Sequence, residues 1–89
     1  MSERIRINVT QRDIDYGVGT LAACPVARAL RRHRGLEDAL VEPRTIHVKG
    51  REISMPFAVE RFVYNFDHYP RHQLKPMRFT LDLPEEEQG

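Results

Sequence analysis

The chain has 89 residues and a formal net charge of +1, with 40% hydrophobic and 30% charged residues, which suits one ordinary globular domain. This balance is far from the strongly basic profile of a dedicated nucleic-acid-binding domain, and no stretch reaches the ~20 apolar residues of a membrane span. The single cysteine excludes an intrachain disulfide, and an amino terminus without the apolar core of a signal peptide favours a cytoplasmic protein.

The first predicted elements are a strand and a short helix. Residues 4–9 alternate between polar and branched apolar side chains, the period of a strand with one buried face. Thr10 is typical of a helix N-cap, and Asp13 three residues later completes a variant capping box. The helix is predicted over Gln11–Tyr16, with Gly17 as a left-handed stop.

A second helix is predicted to begin at Pro25, because proline is well tolerated in the first helical turn. Gly35 is expected to end it. The apolar side chains of this helix fall on one face, and the basic ones fall on another. The apolar face consists of Val26, Ala29, Leu30 and His33.

The middle of the chain predicts a hairpin and a third helix. Extended strands are predicted over Ala39–Val41 and Arg44–Val48. A tight turn at Lys49-Gly50 is then expected to lead into an antiparallel return strand over Arg51–Ser54. Pro56 is expected to open the helix, which ends near His68. Its apolar residues recur at helical spacing and are predicted to lie in the core. They are Val59, Phe62, Val63 and Phe66.

A last strand over 77–83 is predicted from alternating apolar residues, and Pro84 ends it. The sequence therefore predicts one α+β domain over 1–84, followed by a disordered acidic tail over 85–89. Its expected architecture is a two-layer sandwich of order β-α-α-β-β-α-β, with one mostly antiparallel sheet. The strands at the two ends either pair with each other or with a second copy, and we expect a homo-oligomer.

No pattern of catalytic or metal-binding residues stands out. Cys24 has apolar neighbours and is predicted to be buried and inert. His68 and His72 have a zinc-binding spacing, but Pro70 interrupts the helix face between them. Gly17-Val18-Gly19 lacks the third glycine of a dinucleotide fingerprint. We therefore predict a protein that is not an enzyme and holds no metal or cofactor.

Acidic pairs have ordinary explanations in this sequence. They could serve acid–base chemistry, but Asp13 suits a helix cap and the others suit solvated charges. The pairs are Asp13 with Asp15 and Glu37 with Asp38.

A cluster of arginines in the second helix is the strongest candidate site. Residues 1–51 carry ten basic against six acidic residues, and four of the ten are the arginines at 28, 31, 32 and 34. Such a cluster favours an anionic, phosphate-bearing ligand, with a solvated helix face as the alternative. The candidate ligand-binding residues are Arg28, Arg31, Arg32, Tyr16, Thr20, Lys49 and Arg51.

Like charges on one helix face repel, so this cluster is not expected to stabilise the helix. Replacing Arg28 and Arg32 by alanine is then expected to leave the fold intact and to abolish ligand capture.

Three motifs resemble a family of short uncharacterised proteins in phage and bacterial genomes. They are Thr10-Gln11-x-Asp13-Ile14, Cys24-Pro25-Val26-Ala27 and Phe62-x-x-x-Phe66-Asp67. Members often have Cys-x-x-Cys-Pro, where this chain has Leu21 at the earlier position. The resemblance implies no established activity. Phage accessory proteins of this size are, as a class, rich in anti-defence proteins that block a host protein or sequester a nucleotide signal.

Three functions remain open from the sequence. The first is a non-enzymatic binding protein, of the phage anti-defence type, that captures a phosphate-bearing nucleotide. The second is an inhibitor of a host protein that acts through a surface patch or a strand edge. The third is a small DNA-binding regulator, although about eight residues separate the first two helices where a helix-turn-helix has three or four.

Overall fold

A computed structural model of the chain describes residues 3–83. The elements in chain order are β1 (Glu3–Val9), α1 (Gln11–Tyr16), α2 (Pro25–Arg31), β2 (Leu40–Val41), β3 (Thr45–Val48), β4 (Arg51–Ser54), α3 (Phe57–His68), a 3-10 turn (Arg71–Gln73) and β5 (Met77–Leu83). The predicted α+β class, element order and antiparallel pairing are confirmed. The predicted tail over 85–89 and the stop at Pro84 lie outside the described residues. No helix within 3–83 is both long and apolar enough to cross a membrane.

The strands in 3–83 form two sheets, where the sequence predicted one. β1 and β5 pair antiparallel along their whole length, from Glu3 opposite Leu83 to Val9 opposite Met77. β2, β3 and β4 form a second antiparallel sheet in that order. The physical reason is that the two terminal strands pair with each other along all seven of their residues. β3 and β4 instead pair locally, because a short turn joins them. Pairing of the end strands is thus achieved within one chain, and self-association stays a prediction.

The hairpin turn between β3 and β4 needs an unusual backbone. Lys49 has φ 52° and Gly50 has φ 72°, both in the left-handed region. Two consecutive positive φ angles are the mark of a turn whose twist matches that of the flanking strands. The predicted tight turn at these two residues is confirmed.

The capping box at the start of α1 is confirmed. The Thr10 hydroxyl accepts a hydrogen bond from the Asp13 amide, and the Asp13 carboxylate accepts one from the Thr10 amide. The prediction of a left-handed Gly17 is wrong, because this residue is extended with φ −67° and ψ 150°. A glycine is required there by close packing: a Cβ on Gly17 would lie 2.6 Å from the Asp13 carbonyl oxygen and 2.8 Å from Pro25 Cδ.

Replacing Gly17 by alanine is therefore expected to destabilise the protein by about 1–3 kcal/mol, as overpacking does in other cores. A matched control is Gly19→Ala, because the nearest atom to a Cβ at that position lies 3.9 Å away. Thermal melts of the two variants would check this. Equal melting temperatures for both variants would contradict the close contact between α1 and the start of α2.

The core is formed by the inner face of the β1–β5 ribbon, the two N-terminal helices, α3 and the inward residues of β2 and β3, and α2 packs against β1, α1 and β2. Six large side chains are almost fully buried in it: Ile7, Ile14, Leu30, Leu36, Ile46 and Leu81. From α3, Val59 and Phe62 are buried, while Val63 and Phe66 are partly buried against the core. The predicted apolar face of this helix is confirmed.

Candidate anion-binding site

The helix α2 brings three of the predicted site residues together. Arg28, Arg31 and Arg32 line one groove with Ala22 and Ala23, which precede the helix. Their spacing of three and four residues places them on the same side of the helix.

A buried carboxylate lies beside this groove. Asp13, with 0% exposure, accepts hydrogen bonds from both terminal nitrogens of Arg32, and Nη2 lies 2.8 Å from Oδ2. The Thr10 amide and hydroxyl donate to the same Oδ2 at 2.9 and 3.1 Å. Burial alone would raise the pKa of Asp13, but the hydrogen bonds from Arg32 and Thr10 outweigh it and hold that pKa below its ordinary value.

Arg32 therefore has a structural role. Its Nη2 also donates to the Asn8 carbonyl oxygen at 2.9 Å, so one guanidinium joins β1, α1 and α2. The same bond to Asp13 raises the pKa of Arg32 and keeps it charged. We therefore expect the double replacement of Arg28 and Arg32 by alanine to destabilise the fold, contrary to the expectation from the sequence, because it would leave a buried carboxylate without its charged partner.

Arg28 and Arg31 are held differently. Arg28 Nε lies 3.5 Å from Asp13 Oδ1, and Arg31 Nε donates to the Ala39 carbonyl oxygen at 2.8 Å. No terminal nitrogen of either residue forms a hydrogen bond within residues 3–83. Arg31 is thus anchored by a hydrogen bond at Nε, whereas the buried Nε of Arg28 has an ion-pair contact with Asp13 but no hydrogen bond within residues 3–83. The terminal nitrogens of both guanidinium groups can donate to a ligand in the groove.

The other predicted ligand-binding residues do not line this groove. Tyr16 is 66% exposed and its ring lies 5.9 Å from Arg12 Cζ. Thr20 lines a separate cavity. Lys49 lies in the β3–β4 turn, where its amide donates to Asp38, and Arg51 begins β4. The structure brings together the three arginines of α2 and no other member of the predicted set.

Cys24 is buried, as predicted, and caps α2 by accepting a hydrogen bond from the Ala27 amide at 3.4 Å. Burial raises the pKa of its thiol, so little thiolate is present at neutral pH. This residue therefore lacks the usual activation of a nucleophilic cysteine. Its inertness towards substrates stays a prediction.

Histidines and acidic residues do not form a metal cluster in the part of the chain that the structure describes. His68 ends α3, where its ring centroid lies 4.1 Å from that of Tyr64. His72 lies in the 3-10 turn beyond Pro70. The two histidines thus belong to different elements on either side of the proline.

Comparisons of this chain with protein families, with curated proteins and with solved structures found no match. The groove on α2 is therefore interpreted from its own geometry. Sequence reasoning found its three arginines from their helical spacing. It missed the carboxylate that binds Arg32, because Asp13 lies 19 residues earlier and is fully explained locally as a helix cap.

The lowered pKa of Asp13 predicts a loss of stability in acid. In the folded protein this pKa lies below the ordinary 3.8, so the unfolded chain binds the proton first. The contribution of Asp13 is then fully present above that value and is lost as the pH falls through the folded pKa. Urea unfolding from about pH 5 to about pH 2 should show a steeper loss for wild type than for Asp13→Asn. Parallel curves would contradict the assignment.

Proposed function

We propose that this protein is a non-enzymatic binding protein that captures a phosphate-bearing small molecule in the groove on α2. The observation that carries the proposal is that Arg28 and Arg31 line one groove, and that their terminal nitrogens form no hydrogen bond within residues 3–83. Arg31 is anchored by its Nε hydrogen bond to Ala39, and Arg28 is held by its ion-pair contact with Asp13. Anchoring reduces the entropy that these side chains lose on binding, because their orientation is fixed beforehand.

The charges around the groove support an anionic ligand. The buried carboxylate of Asp13 is bound by both terminal nitrogens of Arg32, so these two charges largely offset each other. Arg28 and Arg31 then contribute two positive charges. Two forked guanidinium groups match the geometry of a phosphate, which accepts paired hydrogen bonds. Within this class we propose a nucleotide, in keeping with a phage-type accessory that sequesters a nucleotide signal.

Calorimetry with inorganic phosphate and a panel of linear and cyclic nucleotides tests this function. The informative variant is Arg28→Ala with Arg31→Ala, because Arg32 and its bond to Asp13 are retained. Each lost charge-assisted contact should weaken binding by about 1.5–3 kcal/mol. Arg28→Lys should recover part of the affinity, since lysine cannot form the paired contact.

A matched control is Arg34→Ala, which removes an exposed arginine that does not line the groove. It should bind as wild type does. A thermal melt of each variant separates loss of binding from loss of folding. The proposal fails if wild type binds no member of the panel, or if the folded double variant binds as tightly as wild type.

A second candidate function is DNA binding through the β1–β5 ribbon. The outer face of this ribbon exposes Arg6, Asn8 and Arg78, and Asn8 lies opposite Arg78. The major groove of DNA accommodates a two-stranded ribbon, and arginine and asparagine are the residues that contact guanine and adenine there. Two results would favour this function: DNA binding that weakens steeply with salt, and loss of that binding in the double variant Arg6→Ala with Arg78→Ala. Binding of a mononucleotide with a much shallower salt dependence than that of DNA would favour the groove on α2.

A further inference from the structure

A second cavity of ≈ 110 Å³ lies on the other side of the segment that leads into α2. Ala22 and Ala23 of this segment line the arginine groove, whereas Gly19, Thr20 and Leu21 line the cavity. The remaining wall comes from the start of α2, from β2 and from α3. Its apolar part includes Cys24, Val26, Val41, Phe62, Val63 and Phe66. The proposed anion site does not use this space.

One carboxylate lies at this apolar cavity. Among residues 3–83, Asp67 is the charged side chain that lines it, and the side chain is exposed to solvent. An Asp67 carboxylate oxygen lies 3.9 Å from the position that a Cβ on Gly19 would occupy, so the carboxylate is close to the backbone of Gly19. No residue within 3–83 forms a hydrogen bond or an ion pair with this carboxylate.

Arg71, a cationic residue that contacts Phe66, already forms hydrogen bonds elsewhere. Arg71 Cζ lies 5.3 Å from the ring centroid of Phe66, but its Nη1 donates to the carbonyl oxygens of Ile14 and Asp15 at 3.1 and 2.6 Å. These bonds tie the 3-10 turn to the end of α1. Asp67 is therefore left as a negative charge beside a mostly apolar space.

We propose that this cavity binds a primary alkylammonium group, with the apolar stem inside and the ammonium at Asp67. A dry cavity of about 150 Å³ accommodates the six carbons of benzene, so this one suits a stem of about four carbons. Long cationic side chains bury their stems along apolar surface and keep the charged end in water. A lysine side chain of a polypeptide and a free alkylamine share this chemistry.

The charge at the cavity selects among ligands of similar size. A carboxylate-bearing ligand would be repelled by Asp67, and a neutral alcohol would gain only the burial of its stem. An ammonium gains in addition an ion pair that is partly exposed to water, and such pairs raise affinity by up to about fivefold. The binding preference is therefore ammonium first, alcohol second and carboxylate last.

Chemical-shift titrations of 15N-labelled full-length protein test this inference with n-butylammonium, 1-butanol and butyrate as probes. Saturable shifts are expected at the amides of Gly19, Thr20 and Cys24. Butylammonium should bind more tightly than butanol, by up to about fivefold. In Asp67→Asn that difference should disappear, whereas Glu60→Gln, on the same helix but outside the cavity, should behave as wild type.

A blocked lysine, Nα-acetyl-lysine N-methylamide, distinguishes the two sources. Binding at least as tight as that of butylammonium indicates a polypeptide lysine, and weaker binding indicates a free amine. The Arg28→Ala with Arg31→Ala variant should bind butylammonium normally, so a failure of the anion site leaves this result unaffected. Equal affinities for butylammonium and butanol, no change in Asp67→Asn, or no saturable shifts at the cavity would overturn the inference.

Discussion

Replacing Asp13 by alanine is expected to lower the free energy of unfolding by about 2–5 kcal/mol, the combined cost of losing a helix cap and a hydrogen bond to a charged group. Asp13 is fully buried and receives hydrogen bonds from Arg32 and from the amide and hydroxyl of Thr10. Its removal deletes one half of the capping box of α1 and leaves Arg32 without its partner. Since small domains are marginally stable, this is a large share of the total.

Asp15→Ala is the matched control for this prediction, because Asp15 lies on the same short helix and is exposed. Its side chain accepts a hydrogen bond from Gln11 at the helix surface. Its replacement should change the free energy of unfolding by less than about 0.5 kcal/mol. Urea unfolding monitored by circular dichroism gives both values. Similar stabilities for the two variants would mean that Asp13 does not join α1 to α2.

Replacing Phe62 by alanine is expected to lower the free energy of unfolding by about 3–5 kcal/mol, the typical cost of truncating a buried phenylalanine. Phe62 is 7% exposed and is the largest side chain that α3 buries in the core. Truncation would enlarge the neighbouring cavity, and the surrounding side chains can collapse into it only in part.

The same helix offers a matched control in Phe57, which is 72% exposed. Phe57→Ala removes the same group from a site that is already in water, so its melting temperature should stay close to that of wild type. Equal losses of stability in the two variants would contradict the orientation of α3. A stable Phe62→Ala would contradict it as well.

Features set by neighbouring residues were predicted well from the sequence. The capping box joins Thr10 and Asp13, which are three positions apart, and the turn depends on the adjacent residues Lys49 and Gly50. The apolar face of α3 follows from helical spacing alone. Each of these features is determined by local chemistry, so the sequence contains the information directly.

Features that depend on distant contacts were not predictable in this way. Gly17 was expected to adopt a left-handed backbone, but the approach of Pro25 is what requires a residue without Cβ. The division into two sheets depends on β1 and β5 meeting from opposite ends of the chain. No local pattern distinguishes pairing within one chain from pairing with a second copy.

The candidate anion-binding site also combines features that the local sequence predicts with features that depend on distant contacts. Helical spacing was enough to place Arg28, Arg31 and Arg32 on one side of α2. It did not reveal that Arg32 forms paired hydrogen bonds with Asp13, whereas Arg31 is hydrogen-bonded through Nε and Arg28 has only an ion-pair contact with Asp13. The distinction between a structural arginine and two available ones is a property of tertiary structure, and it decides which variants can test the function.

The central claim is that Arg28 and Arg31 hold a phosphate-bearing ligand. Native mass spectrometry of freshly purified protein tests it most directly, because a captured anion adds its mass to the 10.4 kDa chain. We expect wild type to carry a phosphate-bearing adduct, or to acquire one from an added nucleotide mixture, and the folded Arg28→Ala with Arg31→Ala variant to carry none. Wild type without any adduct after exposure to the mixture, or the same adduct on both proteins, would contradict the claim.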